Sequence, residues 1–208
     1  MPDRIIDLDT WPRAAQYRLF RTYDRPQYAI TTRIDVTALM ERRKRDGISP
    51  YRATCHAIGE GIHAVPELRT RFQGETVTEF AQIELSMTVP VGEGDFRYGY
   101  VTHDSDFARF EANFEAASEA ARTGAFVANT GERVDLAYLS CLPWMDYTSL
   151  DNALPGPDDC IPRIGWGKIV PSATGGQEMA MTLQCHHALV DGYQCGVFFD
   201  RVRQVLAA

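Results

Sequence analysis

Between residues 177 and 206 the chain changes its hydrophobic period. Met179, Met181, Leu183 and Cys185 alternate at every second position, the repeat of a strand. Phe198, Val202, Val205 and Leu206 recur at helical spacing. Between the two runs stands His186-His187-Ala188-Leu189-Val190-Asp191-Gly192. A strand that runs into two histidines and then turns through Asp-Gly into a helix holds a titratable group rigidly at the mouth of a sheet. An imidazole with its ordinary pKa of about 6.5 is mostly neutral near pH 7, the state a general base needs. Asp191 can accept hydrogen bonds or an arginine in the turn, and Gly192 lets the backbone bend sharply. As a local pattern, the segment fits a surface loop with two solvated histidines at least as well.

Other chemistries find less support. Cys185, His186 and His187 are adjacent, and neighbours on a strand point to opposite faces, so they cannot converge on one zinc ion. No partner pair at ligand spacing exists elsewhere, and no metal site is expected. A Gly-x-Ser-x-Gly elbow and a phosphate-cradling loop are both missing from the sequence.

The remaining pattern is mixed. Tyr28, Ile30 and Ile34 predict a strand, and Asp35 can cap a short helix ending near Asp46-Gly47. Pro50 opens a helix whose stripe is Tyr51, Cys55, Ile58, Ile62 and Val65, stopped by Pro66. Ile83, Leu85, Met87 and Val89 predict a strand ending at Pro90, and Phe107, Phe110, Phe114, Ala117 and Ala121 a helix from Asp106 to Arg122. Strands are expected over 136–141 and 164–170, with the longest irregular connection from Asn152 to Pro162. The predicted class is α/β: one domain over residues 1–208, a two-layer sandwich with a large mixed sheet covered by helices.

Composition narrows the partners. With 208 residues and 45% hydrophobic side chains the chain can fill a sizeable core, and its net charge of −7 leaves no basic surface for a phosphate backbone. Nucleic acid is not expected as a partner, and Arg42-Arg43-Lys44-Arg45 reads as a solvated helix end. Met1-Pro2-Asp3-Arg4 does not begin a charged leader, and no apolar run approaches the roughly 20 residues of a membrane span. A cytoplasmic protein with no membrane partner is expected. Its five cysteines, an odd count with no Cys-x-x-Cys, predict free thiols.

His-His-x-x-x-Asp-Gly between a strand and a terminal helix resembles the chloramphenicol acetyltransferase family. Condensation domains of peptide synthetases share the motif, and dihydrolipoyl acyltransferases carry a related one, but the length and the motif's place near the C-terminus suit the acetyltransferase. Collinear resemblances run along the chain: Trp11-x-Arg13, Val65-Pro66-Glu67-Leu68-Arg69, Ser140-Cys141-Leu142-Pro143-Trp144 with Thr148-Ser149, and Ile164-Gly165-Trp166-Gly167-Lys168.

The resemblance implies an acetyl-CoA-dependent O-acetyltransferase with chloramphenicol, or a similar small amphiphile, as acceptor, the chemistry of an antibiotic-resistance enzyme. His187 would be the base and Ser140 the donor to the tetrahedral oxygen. Asp191 would pair with Arg13 to fix the loop, while His186 packs locally. Phe20, Tyr28, Phe96, Tyr98 and Asn152 would line the acceptor pocket, and Trp144 and Lys168 would contact CoA. The family is a homotrimer whose base faces Ser140 of the adjacent subunit. Two departures stand out: Gly165 replaces a hydroxyl residue, and Asp24 and Asn152 replace apolar pocket residues, which predicts a polar wall and poor use of chloramphenicol. Acyl transfer to another hydroxyl or to an amine is the alternative chemistry, and a non-catalytic binding protein on the same fold is the alternative class.

Overall fold

The strand and helix flanking the two histidines organise the molecule. In the computed structural model, which describes residues 2–124 and 133–208, β10 spans Gln177–His186 and α5 spans Gly192–Ala207. All of residues 179–186 are buried, because both faces of β10 are covered. The odd residues join Tyr28, Ile30 and Ile34 beneath the helices, and the even ones, Thr182, Gln184 and His186, face the other side. On one flank β10 pairs antiparallel with β2 (Gln27–Asp35), and on the other with β8 (Arg163–Trp166).

Beyond β8 come β7 (Leu136–Cys141), β5 (Glu84–Gly92) and β6 (Asp95–Thr102), giving the order β2-β10-β8-β7-β5-β6. The short β9 (Val170–Pro171) pairs beside the start of β10. The β5–β7 and β7–β8 pairs are parallel and the others antiparallel, so the sheet is mixed as the sequence predicts. A smaller sheet joins β1 (Arg4–Ile5), β4 (Thr76–Glu79) and β3 (Thr70–Gln73).

Helices α2 (Thr37–Asp46), α3 (Pro50–His63), α4 (Phe107–Thr123) and α5 cover one face of the main sheet, and α1 (Ala14–Phe20) lies near the histidine turn. Ser49 caps α3, its hydroxyl accepting from the Arg52 N–H, and Pro50 fits the first turn. Helix α3 packs against α5, while Tyr51 of its predicted stripe meets Phe114 of α4 and Trp166 of β8. Gly61 marks the closest approach: a Cβ there would come within 2.8 Å of Phe198.

Three boundaries differ from expectation. Pro90 lies inside β5, opposite Phe96 and beside an irregularity in register, where its missing N–H is tolerated. The strand expected over 164–170 breaks after Trp166: the Gly167 N–H still reaches Ala180 O of β10, but the Lys168 N–H turns away to Met145 O, and pairing resumes only at β9. The N-cap of α2 is Val36, while Asp35 Oδ1 accepts from the Thr37 N–H. Elements without a long stripe, α1, β6 and the small sheet, were not predicted; α1 buries only Ala14 and Tyr17.

Burial of histidines gives the fold a pH dependence. His103 packs among His56, His63 and Glu60, with Nε2 3.0 Å from Glu60 Oε1, and Arg201 ion-pairs with the same Glu60. Burial pushes both His103 and His186 down to about 4. An unfolded chain takes these protons below about 6.5, whereas the folded one resists until about 4, so stability falls as pH drops through that window. Each site contributes at most ~3 kcal/mol. Melting temperature is expected to decrease steadily from pH 7 to pH 5, and His103→Gln to flatten the slope. A flat profile for the native chain would show that these histidines take up protons equally in both states, so that burial does not hold them neutral.

Candidate active site

The histidine turn is held from several directions. The His187 N–H donates to Pro26 O at 2.9 Å, carrying the sheet pairing one residue past the strand. The N–H groups of Leu189 and Val190 both donate to His186 O, closing the turn. Asp191 follows as the N-cap of α5, its own N–H donating to Gln194 Oε1 at 3.1 Å.

Arg13 locks this turn from α1's start. Its Nη1 and Nη2 donate to Asp191 Oδ2 (2.5 Å) and Oδ1 (2.8 Å), while Nε and Nη2 also donate to Ala188 O (3.0 Å) and His187 O (2.9 Å). The planar guanidinium thus joins a bidentate carboxylate pair to two backbone carbonyls, a set a lysine cannot reproduce. The Arg13 side chain is only 10% exposed. Its hydrogen bonds, first of all, hold the Asp191 carboxyl below the usual carboxylate range.

The two histidines occupy opposite environments. His186 is sealed in the core at 1% exposure: Nε2 donates to Pro157 O at 2.9 Å, Nδ1 accepts from the Ala188 N–H at 3.1 Å, and Phe72 meets the ring edge-on. Both nitrogens are committed, and the imidazole is held neutral. The His187 ring, by contrast, stacks on Phe20 at 3.8 Å and tilts against Tyr28 at 4.7 Å. Its Nδ1 is buried and lies 3.1 Å from Asp191 Oδ1, out of line for a hydrogen bond. With the side chain 36% exposed and Nδ1 sealed, the Nε2 edge is the open one. A half-exposed imidazole in a fixed orientation, with a carboxylate beside its inner nitrogen, can take and return a proton.

A second group of side chains lines a cavity of about 910 Å³ on the face of the sheet away from the helices. Ser140, Tyr98 and Asn152 lie there, with Ser86, Thr88 and Tyr138. The Ser140 hydroxyl has no partner among the described residues, so it is not the backbone-satisfied serine common in strands. Phe96 meets Tyr98 edge-on but is 42% exposed and outside the lining. Trp144, 79% exposed, and Lys168 stand on neighbouring segments after β7 and β8, joined by the bond from Lys168 N–H to Met145 O.

Within one chain these groups do not meet. Ser140, Gly165 and Thr182 are in register across three strands, and His187 follows Thr182 by five residues. That separation is about 16 Å along the strand and about 10 Å across it, on the order of 19 Å in all. His187 also rests on Tyr28, whose side chain belongs to the helix-covered face.

The polar wall expected from Asn152 takes a different form. Asn152 Nδ2 and its backbone N–H both donate to Gln184 Oε1, at 2.8 and 3.0 Å, and Gln184 Nε2 donates to Asp151 Oδ1 at 2.7 Å. The Asn152 donors are thus engaged by Gln184 while the residue still lines the cavity, and leucine in its place would strip a donor from Gln184. Asp24 is exposed and outside the lining. At Gly165, a Cβ would collide with Leu150 Cδ2 and stand 3.7 Å from the Tyr147 hydroxyl, which donates to Gly165 O at 2.8 Å.

Gln27, Gln184 and Tyr147 escaped the reading of the sequence. Gln27 Nε2 donates to the carbonyls of Gly156, Pro157 and Asp159, and so, with His186, it fixes the loop that edges the cavity. A glutamine at a buried strand position such as Gln184 was the available signal. Among the described residues no group of three or more His, Cys, Asp or Glu could hold a metal ion, and no helix is long and apolar enough to cross a membrane.

The family model described as chloramphenicol acetyltransferase matches residues 1–203. Curated relatives include a chloramphenicol acetyltransferase of Clostridium perfringens, 25% identical over 99% of this chain and 95% of the relative. Another is chloramphenicol acetyltransferase 2 of Escherichia coli, 23% identical over 95% of this chain and 94% of the relative. Among solved structures, a chloramphenicol acetyltransferase superposes with a TM-score of 0.91 over 98% of this chain and 99% of the other, at 23% identity. The cubic core of the pyruvate dehydrogenase multienzyme complex gives 0.66 over 93% and 86%, at 13% identity. At these identities the structural likenesses establish the fold.

Proposed function

The chain belongs to the chloramphenicol acetyltransferase family, and on that premise we propose that it moves an acetyl group from acetyl-CoA to a hydroxyl of chloramphenicol or a similar small amphiphile, with His187 as general base. The observation that carries this reading is the contrast within the His-His pair: one ring buried with both nitrogens bonded, the other clamped between Phe20 and Asp191 with its Nε2 edge open.

Acetyl-CoA, as co-substrate, supplies the activated acyl group. His187 takes the proton from the acceptor hydroxyl as that oxygen attacks the thioester carbonyl, then returns it to the departing thiol. Ser140 directs its hydroxyl at the oxygen that becomes negative, an interaction worth ~10²–10³ in rate when the donor is already aimed. Arg13 and Asp191 act on this step by fixing the turn. Phe20 and Tyr28 line the acceptor side with Tyr98 and Asn152; Phe96, Trp144 and Lys168 lie at the rim, the last two toward CoA. Location in the cytoplasm accords with the same reading.

Because His187 and Ser140 are far apart in one chain, the reading requires the base of one copy to face the serine of the next, in a homotrimer. A thiol-release assay with acetyl-CoA and chloramphenicol tests the activity, and subunit mixing tests the assembly. His187→Ala and Ser140→Ala are each expected to be severely impaired. Reassembled together, they should regain up to one wild-type site of three per mixed trimer. Absence of any recovery in verified mixed assemblies would mean that both residues serve the same chain's site, or none. Release of thiol with another alcohol or an amine, and none with chloramphenicol, would keep the chemistry and replace the acceptor.

A further inference from the structure

We propose that Cys185 and Cys195 form a reversible disulfide that switches the loop carrying His187. Cys185 stands at the end of β10 and Cys195 in the first turn of α5, with their sulfurs 4.0 Å apart. The segment they bracket, residues 186–194, contains both histidines and Asp191. Free thiols in contact are often plain packing. Here the pair touches the catalytic turn itself: the Tyr28 hydroxyl is 3.4 Å from Cys195 Sγ and donates to Val190 O at 3.1 Å, while its ring lies against His187.

The two sulfurs are not equivalent. A hydrogen bond from Cys185, first of all, lowers the Cys195 thiol, and the start of a helix favours its thiolate. The bond to Cys195 and burial raise Cys185. Both side chains are almost sealed, so a small oxidant such as hydrogen peroxide is the appropriate class. The Cys195 thiolate attacks one peroxide oxygen, the O–O bond breaks, and sulfenic acid and hydroxide result. Cys185 then displaces the hydroxyl group from that sulfur as water. The thiols lose two electrons and two protons, and the peroxide is reduced to two waters.

A disulfide draws the sulfurs to about 2.05 Å. Cys185 is fixed in the ladder opposite Tyr28, so the backbone movement that closure requires falls on the start of α5. That start carries Asp191, and with it the clamp from Arg13. A displacement of about 1 Å in such a clamp costs on the order of 10² in rate.

The test treats the full chain with hydrogen peroxide and follows two readouts, the 185–195 bridged peptide on non-reducing digestion and turnover in the thiol-release assay. We expect the bridged peptide to form, turnover to fall at least tenfold, and dithiothreitol to restore both. Cys195→Ala and Cys185→Ala should each form no bridge and, compared with their own untreated states, resist that reversible loss. Should one variant fail to fold, the other serves alone. Loss of wild-type turnover without the bridge, a bridge with unchanged turnover, or variants inactivated like the wild type would each overturn the proposal.

Discussion

His187→Ala is expected to lose between ~10² and ~10⁴ in kcat, the span of a positioned general base, with little change in melting temperature. The ring is partly exposed, and its backbone anchor to Pro26 O survives the substitution. His186→Ala should do the reverse. It leaves Pro157 O and the Ala188 N–H without their partner in a sealed position, a cost of ~1–3 kcal/mol for unpaired polar groups before any cavity term. Its kcat should stay within about tenfold, and the acceptor KM should rise because Pro157 belongs to the loop edging the cavity. The comparison needs only kinetics and thermal melts of the two variants. The opposite ranking would move the base to His186 and undo the assignment.

Arg13→Ala should lower stability and turnover together. The guanidinium satisfies a carboxylate and two carbonyls while almost buried, and its removal leaves Asp191 beside a hole. Breaking a buried pair from one side costs ~3–5 kcal/mol. The Asp191 side chain is 37% exposed, so water recovers part of that and about 3 kcal/mol is the better figure. For a chain of this size the melting temperature should drop by about 6–12 °C. Turnover should fall by on the order of 10², since the turn that orients His187 is released. Arg13→Lys should recover little, lacking the planar fork. Asp191→Ala should resemble Arg13→Ala, and the double variant should cost clearly less than the sum. Additive losses would show that the two residues act independently despite the 2.5 and 2.8 Å contacts.

The order of elements around the site was legible in the residues. Period two in Met179–Cys185 and period 3.6 after Gly192 required a strand, a turn and a helix, because side-chain direction follows backbone repeat. The same logic marked α3 and α4. It failed where burial comes from elsewhere: α1 is seven residues long, and in β6 one face is aromatic while the other carries Arg97 and Gly99. Pro90 misled as a strand end, because a proline at a position with no ladder donor to lose leaves the strand intact.

What the sequence determined by itself was local: a histidine pair at a strand end, an Asp-Gly turn, and an arginine far upstream whose pairing only the family resemblance suggested. Adjacent histidines are chemically identical on paper. Tertiary structure alone separated them, because Phe72 and the carbonyl of Pro157 enclose one ring, while Phe20 and Tyr28 leave an edge of the other open. It also decided that Asn152 donates to Gln184, and that Cys185 and Cys195 touch across the histidine turn. Periodicity fixes which face a residue takes, but its partners come from strands and helices distant in the chain, and those meet only when the sheet is assembled.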